Sequence, residues 1–398
     1  MTDLTRAKTL DPSRMHVAFV SHKVCWAVPG TPGTVATVGG FPFHVLGVAG
    51  AFRKTTLVVP VRKGPLPAGA SRIEAPNLTV APLDDIGLGR LPRKAALPGW
   101  LATNGHRLWH AIAEADAVHA PVPGDIGTLG VLTALVQRKP LFVRHCGTWG
   151  EPASVADRAL DRLLTRIAGG RNVVMATGGG NKPPSRDNPE VSWIFSTTIT
   201  EASLAAWPTA KPWTFGEELR LVSVGRLTPK KNADVSIRAV ALLREYFPAI
   251  SLDVLGGGTE LEPLRALVHE LNLENAVRVQ GNVPHERVLE IVGRSHLFVF
   301  PTEVKEGFPK AVIEAMACGV PVVATGVSVL PDLIGTENGR ILAGTAPDDM
   351  AHAVLDLTAD PDRLEEMSRS ARETGRSYTL ERWRETIAVR LQESWSRA

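Results

Sequence analysis

Short apolar runs alternate with longer amphipathic stretches along almost the whole chain. This alternation is typical of parallel strands joined by covering helices, and it predicts the α/β fold class. In the first half, strands are predicted at 16–20, 56–60, 117–119, 141–143 and 172–175, with helices at 100–114 and 126–136. In the second half, strands are predicted at 220–224, 251–255, 277–279, 297–300 and 321–323, with helices at 233–243, 260–271 and 310–317.

The periodicity is interrupted once, at residues 202–217, where Trp, Pro and Gly replace it. Such a stretch is typical of a linker, and it predicts a boundary near 205–218. The N-terminal domain is then 1–205 and the C-terminal domain 206–378, each large enough for a Rossmann-like sheet. Two such domains facing a central cleft would bind a ligand at the carboxyl ends of their strands. Residues 379–398 carry apolar side chains at helical spacing and predict a terminal helix that packs across, returning to the N-terminal domain.

Composition and charge exclude several classes of protein. Of the 398 residues, 44% are apolar and 21% charged, which is ordinary for a folded protein and excludes disordered and fibrous chains. The net charge of +3 combines 22 Lys and Arg against 13 Asp and Glu in residues 1–200 with 22 against 28 in residues 201–398. The basic excess is too mild for a nucleic-acid partner. It suits an anionic membrane surface or an acidic substrate, or is scattered solvated charge.

The cysteines and the apolar runs indicate a compartment. Cys25, Cys146 and Cys318 are far apart and form no CxxC pair, so neither a disulfide framework nor a zinc site is indicated. The first fourteen residues have no apolar core of signal-peptide type, and no run of about 18 apolar residues occurs. We therefore expect a cytoplasmic protein.

The most informative segment is 301–325, PTEVKEGFPKAVIEAMACGVPVVAT, which predicts a strand end, a loop, a helix and a second strand. Glu306 lies in the loop and Glu314 on the helix. A tight turn at Gly307 and Pro309 would aim backbone N–H groups outward at the start of the helix, where an anion is favoured. Pro309 suits the first helical position. The Glu314 carboxylate accepts two hydrogen bonds, as the paired hydroxyls of a ribose require.

This segment resembles the E-x7-E signature of the retaining GT-B glycosyltransferases of family 4. The resemblance implies that Glu306 lies beside the donor sugar and that Glu314 holds the ribose. It further implies that the loop backbone contacts sugar and phosphate through Gly307, Phe308, Pro309 and Lys310. The structural alternative is that Glu306 caps a helix and that Glu314 is a solvated helix charge.

A second match is LVSVGRLTPKKN at 221–232, which resembles the G-R-x4-K pattern of the same family. Arg226 and Lys231 follow a strand and would stabilise the charge that grows on a departing nucleotide diphosphate. Asn232 stands where the family usually has Gly. The alternative is that both cations are ordinary surface residues flanking a turn.

The N-terminal half resembles the family more weakly. Gly39 and Gly40 match a Gly pair that opens a helix facing the donor phosphates, and two glycines permit close backbone approach. His145, in LFVRHCGTWG, matches a strand-end His near the donor sugar, although a strand-end His is often structural. Residues 175–182 and 193–202 depart from the family pattern, which puts the acceptor side in doubt.

The resemblance implies a retaining, metal-independent glycosyltransferase without a cofactor that uses a UDP- or GDP-linked sugar. The expected acceptor is a hydroxyl of a glycan or lipid-linked saccharide in cell-envelope or exopolysaccharide synthesis. The single D-x-D, at 360–362, is better explained by an N-cap role for Asp360 than by a metal site. The alternatives are a nucleotide-sugar epimerase of the same fold and a non-catalytic binding protein, with a glycosidase and a nicotinamide dehydrogenase further removed.

Peripheral contact with an anionic membrane is a further expectation. Basic and aromatic residues lie on or near one predicted helix of the N-terminal half, as an interfacial helix requires. They are Arg90, Arg93, Lys94, Trp100, Arg107 and Trp109. The alternative is a buried Trp pair with solvated Arg.

Overall fold

The computed structural model describes residues 10–86 and 93–397, except for the side chains of residues 93 and 94. The chain divides into two compact units. The first unit comprises Met1–Thr198 and Leu380–Ala398, and the second comprises Ile199–Thr379. The division falls before residue 205, just ahead of a short helix, Glu201–Ala206, whose N-terminus Thr200 and Ser203 cap reciprocally.

Within the described residues, ten strands form the sheet of the first unit. They are β1 (His16–Val20), β2 (Cys25–Ala27), β3 (Val35–Thr37), β4 (Lys54–Arg62), β5 (Ser71–Ile73), β6 (Leu78–Leu83), β7 (Ala117–Val122), β8 (Leu141–His145), β9 (Asn172–Thr177) and β10 (Val191–Ile194). The strand order is β10-β9-β8-β7-β1-β4-β2-β3-β5, and β6 also pairs with β4. All pairings are parallel except β2 with β3 and β3 with β5.

The helices of the first unit are α1 (Phe41–Ala49), α2 (Arg93–Ala113), α3 (Asp125–Val136), α4 (Val155–Ile167) and, at the end of the chain, α13 (Leu380–Trp395). Apolar clusters lie on both faces of the sheet. Four side chains of α13 at successive helical turns are almost fully buried in one of these clusters: Trp383, Ile387, Leu391 and Trp395. Trp395 also donates a hydrogen bond to the carbonyl of Arg171 (3.0 Å). The last helix is therefore part of the core of the first unit.

Six parallel strands form the sheet of the second unit: β11 (Leu219–Val224), β12 (Ile250–Leu255), β13 (Val277–Gly281), β14 (Leu297–Phe300), β15 (Val322–Thr325) and β16 (Gly339–Leu342). Their order is β13-β12-β11-β14-β15-β16. The helices are α5 (Glu201–Ala206), α6 (Ala233–Leu243), α7 (Leu261–Glu270), α8 (His285–Val292), α9 (Lys310–Ala317), α10 (Leu330–Leu333), α11 (Pro347–Thr358) and α12 (Pro361–Arg376). All residues of β14 and β15 are buried, as expected for strands covered on both faces.

The structure corrects part of the expected membrane surface on α2. Trp100 is buried, and its indole nitrogen donates to the carbonyl of Asp84 (2.7 Å), so it is a core residue. Trp109 is 45% exposed, and Arg107 lies 3.6 Å from the Asp84 carboxylate. Arg90 and the side chains of Arg93 and Lys94 lie outside the described residues. In the part of the chain that is described, no helix has the length and apolarity needed to cross a bilayer.

Candidate functional site

The strand order of the second unit marks where a ligand would bind. The chain proceeds outward from β11 to β13 and then returns to β14, on the other side of β11. Loops after β11 and β14 therefore leave the sheet in opposite directions, and ligands of such sheets bind in the crevice at the carboxyl ends of these strands. Arg226 and Lys231 follow β11, and Glu306 follows β14. The structure thus gathers three predicted residues at this switch point.

Lys231 and Glu306 form an ion pair across the switch point. Their side chains are 9% and 24% exposed, respectively. The ammonium also lies over the ring of Phe300, 4.8 Å from its centre, where the π face favours a cation. Burial, together with the positive charge of Arg226, lowers the pKa of Lys231 to about 8. Arg226 itself is exposed. The result is a pair of cations, one shielded and one open to solvent.

Two hydrogen bonds between the loops hold Lys231 opposite Glu306. The side-chain amide of Asn232 donates to the carbonyl of Pro301 (3.0 Å), and the N–H of Glu303 donates to the carbonyl of Lys230 (2.9 Å). Asn232 has φ 52°, in the left-handed region that Gly and Asn adopt most easily. This explains how Asn replaces the usual Gly. The Asn side chain also makes a contact that Gly has no atoms to make.

The glycines at 256–258 allow the loop after β11 to pack closely. Gly256 has φ 134°, and a Cβ there would clash with the carbonyl oxygen of Gly225. The N–H of Leu227 donates to the carbonyl of Gly257 (2.9 Å). These glycines therefore support the loop that carries Arg226.

The segment from Glu306 to Lys310 is fixed at both ends. The hydroxyl of Ser328 donates to the backbone carbonyl of Glu306 (2.6 Å). Phe308 is buried and its ring centre lies 5.4 Å from that of Tyr378, so its side chain anchors the loop. Pro309 occupies the N-cap of α9 rather than the first helical position predicted for it, because the helix begins at Lys310.

Glu314 lies on α9 away from the Lys231 ion pair and contacts His285 instead. Its carboxylate accepts a hydrogen bond from the imidazole Nε2 (3.3 Å), and this bond raises the pKa of His285. The Glu314 side chain is 14% exposed and that of His285 is 54% exposed. The His285 imidazole therefore competes for the carboxylate that was predicted to bind ribose.

The predicted residues of the first unit lie at the carboxyl edge of its own sheet. Gly39 has φ 84°, and Gly40 is the N-cap of α1, in the loop between β3 and α1. His145 ends β8 and is 5% exposed. Its Nδ1 donates to the carbonyl of Gly147 (3.2 Å), and its Nε2 lies 3.2 Å from the carboxylate of Asp161. Burial lowers the pKa of His145 and raises that of Asp161.

Metal ligands are not clustered in the described part of the chain: no group of three or more His, Cys, Asp or Glu residues is placed to hold an ion. Asp360, in the D-x-D sequence, accepts hydrogen bonds from the backbone N–H groups of Asp362 and Arg363 (both 3.1 Å). Its predicted N-cap role is confirmed.

Comparison with known proteins identifies the second unit. Residues 209–374 match the model of the family described as glycosyl transferases group 1. The second unit is similar to a glycosyl transferases group 1 domain. The matched segment contains Arg226, Lys231, Glu306 and Glu314.

Two curated relatives indicate the kind of protein that carries such a domain. The chain is 32% identical over 186 residues to a GDP-mannose-dependent alpha-(1-6)-phosphatidylinositol monomannoside mannosyltransferase of Mycolicibacterium smegmatis, covering 45% of this chain and 48% of that protein. It is 33% identical over 165 residues to the putative colanic acid biosynthesis glycosyltransferase WcaL of Escherichia coli, covering 39% and 40%. The chain thus spans about half the length of these relatives.

Solved structures resemble the chain over nearly its full length. Anabaena Alr3699/HepE, crystallised in complex with UDP and glucose, superposes with a TM-score of 0.65 at 17% identity, covering 96% of this chain and all of that one. The likeness is one of fold. Together with the two sheets, it confirms the predicted α/β class with two Rossmann-like domains of the GT-B type.

Sequence reasoning missed four residues, three in the second unit and one in the first. Asn232, His285 and Ser328 support the predicted site residues, and Asp161 faces His145. Only Asn232 carried a signal, because it stands where the family pattern has Gly. The others are 16 to 29 residues from their partners in sequence, and only the packing of helices and loops brings them into contact.

Proposed function

We propose that this protein is a retaining, metal-independent glycosyltransferase that moves a sugar from a UDP- or GDP-linked donor to a hydroxyl acceptor. The observation that supports it most is the placement of Arg226, Lys231 and Glu306 at the switch point of a group 1 domain. A nucleotide diphosphate bound there would meet two cations and the N-terminus of α9. Such an arrangement stabilises charge that develops as the leaving group departs.

In this proposal, different residues of the second unit contact the sugar, the diphosphate and the ribose of the donor. In this proposal Glu306, held by Lys231 and Ser328, faces the sugar, and the backbone of Gly307, Phe308, Pro309 and Lys310 faces the diphosphate. Glu314 accepts hydrogen bonds from the two ribose hydroxyls after its hydrogen bond with His285 breaks. Gly39, Gly40 and His145 of the first unit contribute to donor and acceptor binding. His145 is neutral near pH 7 because burial lowers its pKa.

The reaction forms one bond and breaks one. The acceptor hydroxyl attacks the anomeric carbon from the face of the departing phosphate while the bond from that carbon to the phosphate oxygen breaks. The acceptor proton passes to the same phosphate oxygen, and Arg226 and Lys231 offset the remaining negative charge. The configuration at the anomeric carbon is therefore retained.

The acceptor class follows from the relatives. One relative is named for a phosphatidylinositol monomannoside acceptor and the other for colanic acid biosynthesis. We infer a glycan or lipid-linked saccharide of the cell envelope or an exopolysaccharide as acceptor, and a cytoplasmic enzyme that meets the membrane peripherally.

The test begins with a thermal-shift panel of UDP- and GDP-sugars, followed by incubation of the stabilising donor with saccharide acceptors. Nuclear magnetic resonance of the product reports the anomeric configuration. Product with the donor's configuration supports the proposal, and an inverted product contradicts it. Interconversion of the donor sugar without acceptor would instead indicate an epimerase, and donor binding without transfer to any acceptor a non-catalytic protein.

Metal independence has its own test. We expect EDTA to leave the transfer rate unchanged, because the cations at the switch point are side chains. Loss of activity that only Mg²⁺ or Mn²⁺ restores would contradict this part of the proposal.

A further inference from the structure

A cavity of about 840 Å³ lies in the first unit, between α4 and the segment 184–188 that precedes β10. Four arginines line it: Arg158, Arg162 and Arg166 from α4, and Arg186 from the opposite wall. These four residues are called the arginine pocket below. The opposite wall lies between residues 175–182 and 193–202, the two stretches that depart from the family pattern.

The charges of the arginine pocket are not compensated within the protein. Arg158, Arg162 and Arg166 follow one another at intervals of four, so they project from one face of α4 as neighbours of like charge. Like charges at this spacing destabilise a helix. Within residues 10–86 and 93–397, none of the four guanidinium groups forms an ion pair or a hydrogen bond with a protein side chain, and all four residues are exposed.

Two acidic residues also line the cavity, and they leave the excess positive. Asp187 stands beside Arg186 in sequence, and Asp161 faces His145 at 3.2 Å. Burial raises the pKa of Asp161. Four guanidinium groups therefore face at most two carboxylates.

The arginine pocket is connected to a predicted catalytic residue. Asp161 belongs both to the cavity wall and to the contact with His145. Trp149 lines the cavity too, and its ring centre lies 5.1 Å from that of His145. A ligand held in the pocket would thus lie one side chain away from His145.

We propose that the arginine pocket binds the phosphate group of a phosphate-bearing acceptor and so places the acceptor hydroxyl on the His145 side of the first unit. This inference rests on the proposed function, since it names the class of acceptor. Guanidinium groups recognise phosphate through paired hydrogen bonds, and the several oxygens of a phosphate accept from more than one arginine at once. A planar carboxylate offers only two oxygens, so a cavity lined by four arginines suits phosphate better.

The test measures binding of two phosphate sources to the full chain. Glycerol 3-phosphate is titrated calorimetrically, with acetate as the carboxylate comparison. Sedimentation with phosphatidylcholine vesicles, with and without phosphatidylinositol, tests a lipid headgroup. The pocket variant is Arg162→Gln with Arg186→Gln, which removes one arginine from each wall. The control is Arg14→Gln with Arg72→Gln, two exposed arginines elsewhere in the first unit (86% and 59% exposed side chains).

We expect the pocket variant to bind the phosphate probe at least about tenfold more weakly than wild type, as the loss of charge-assisted hydrogen bonds implies. The control should bind it as wild type does, and acetate should bind more weakly than phosphate. Binding of glycerol 3-phosphate supports a free phosphate source, and binding only to phosphatidylinositol vesicles supports a lipid headgroup. No binding of either source by wild type, or equal losses in pocket and control variants, would overturn the inference.

A crossed measurement separates this inference from the proposed function. UDP and GDP binding should fall in Arg226→Ala and stay unchanged in the pocket variant, whereas phosphate-probe binding should show the reverse. If phosphate binding falls in Arg226→Ala and not in the pocket variant, the probe occupies the second unit and the inference is wrong. If neither nucleotide binds wild type while the pocket result holds, the proposed donor class fails and the pocket stands. Thermal unfolding of each variant confirms that it is folded.

Discussion

The lowered pKa of Lys231 predicts that alkaline pH weakens capture of the donor. Burial and the charge of Arg226 lower this pKa to about 8, while the Glu306 carboxylate beside it favours the charged ammonium. The protonated form is the one that attracts a diphosphate. Donor capture should therefore be complete well below pH 8 and should decline as the pH rises through 8.

The size of the decline follows from the titration of one group. With a pKa near 8, about nine tenths of the ammonium is present at pH 7 and about one tenth at pH 9. The value of kcat/KM for the donor should thus fall about tenfold between these pH values. The decline should appear in kcat/KM, which reports the protonation of the free enzyme. It should not appear in kcat, because the bound diphosphate keeps Lys231 protonated in the complex.

The assay is a pH profile of initial rates at low donor concentration, for wild type and Lys231→Arg. Arginine stays protonated throughout, so the variant should lose the alkaline decline even if its overall rate is lower. Lys211→Arg, an exposed lysine of the same unit, is the matched control and should keep it. A flat wild-type profile up to pH 9, or the same decline in Lys231→Arg, would refute the reasoning.

Three further predictions concern ribose binding, the left-handed turn and the terminal helix. Glu314→Gln should raise the donor KM by about 10- to 100-fold, since charge-assisted hydrogen bonds to ribose are lost. The control Glu262→Gln, at a side chain 74% exposed, should leave the donor KM unchanged. Equal donor KM values for Glu314→Gln and wild type would contradict the ribose role. Asn232→Ala should be less stable to urea than Asn232→Gly by about 1 kcal/mol, because the left-handed φ of 52° is unfavourable for alanine. Equal midpoints of urea unfolding for the two variants would show that the turn relaxes. Leu391→Ala should lower the free energy of unfolding by about 2–5 kcal/mol. Val389→Ala, at a position 49% exposed, should lower it by less than about 0.5 kcal/mol. Similar losses in the two variants would contradict a core role for the last helix.

Periodic and fully buried elements could be predicted from the sequence. The predicted strands 16–20 and 297–300 and helices 233–243 and 310–317 are confirmed to the residue. Each is either a continuous apolar run or a helix with a regular apolar stripe, so local sequence alone specifies it. The short strands β2, β3 and β5 escaped prediction, since three residues are too few to show a period.

Contacts between distant segments could not be predicted in the same way. Glu314 was predicted as a ribose ligand, but its pairing with His285 depends on how α8 packs beside α9. The clash that requires Gly256 involves the carbonyl of Gly225, 31 residues earlier in the chain. Tryptophan suits both an interface and a core, so the sequence left both places open for Trp100. Only the hydrogen bond from its indole nitrogen to the carbonyl of Asp84 shows that it lies in the core.

Sugar transfer by site variants tests the central claim most directly. Wild type, Arg226→Ala and Glu306→Ala are incubated with the donor that the thermal-shift panel selects and with an acceptor, and product is measured by mass spectrometry. Thermal unfolding shows that each variant is folded, and Lys211→Ala serves as the matched control. We predict product of retained configuration from wild type and the control, and loss of transfer in both site variants. Undiminished transfer by folded Arg226→Ala and Glu306→Ala would contradict the assignment of the active site to the switch point of the second unit.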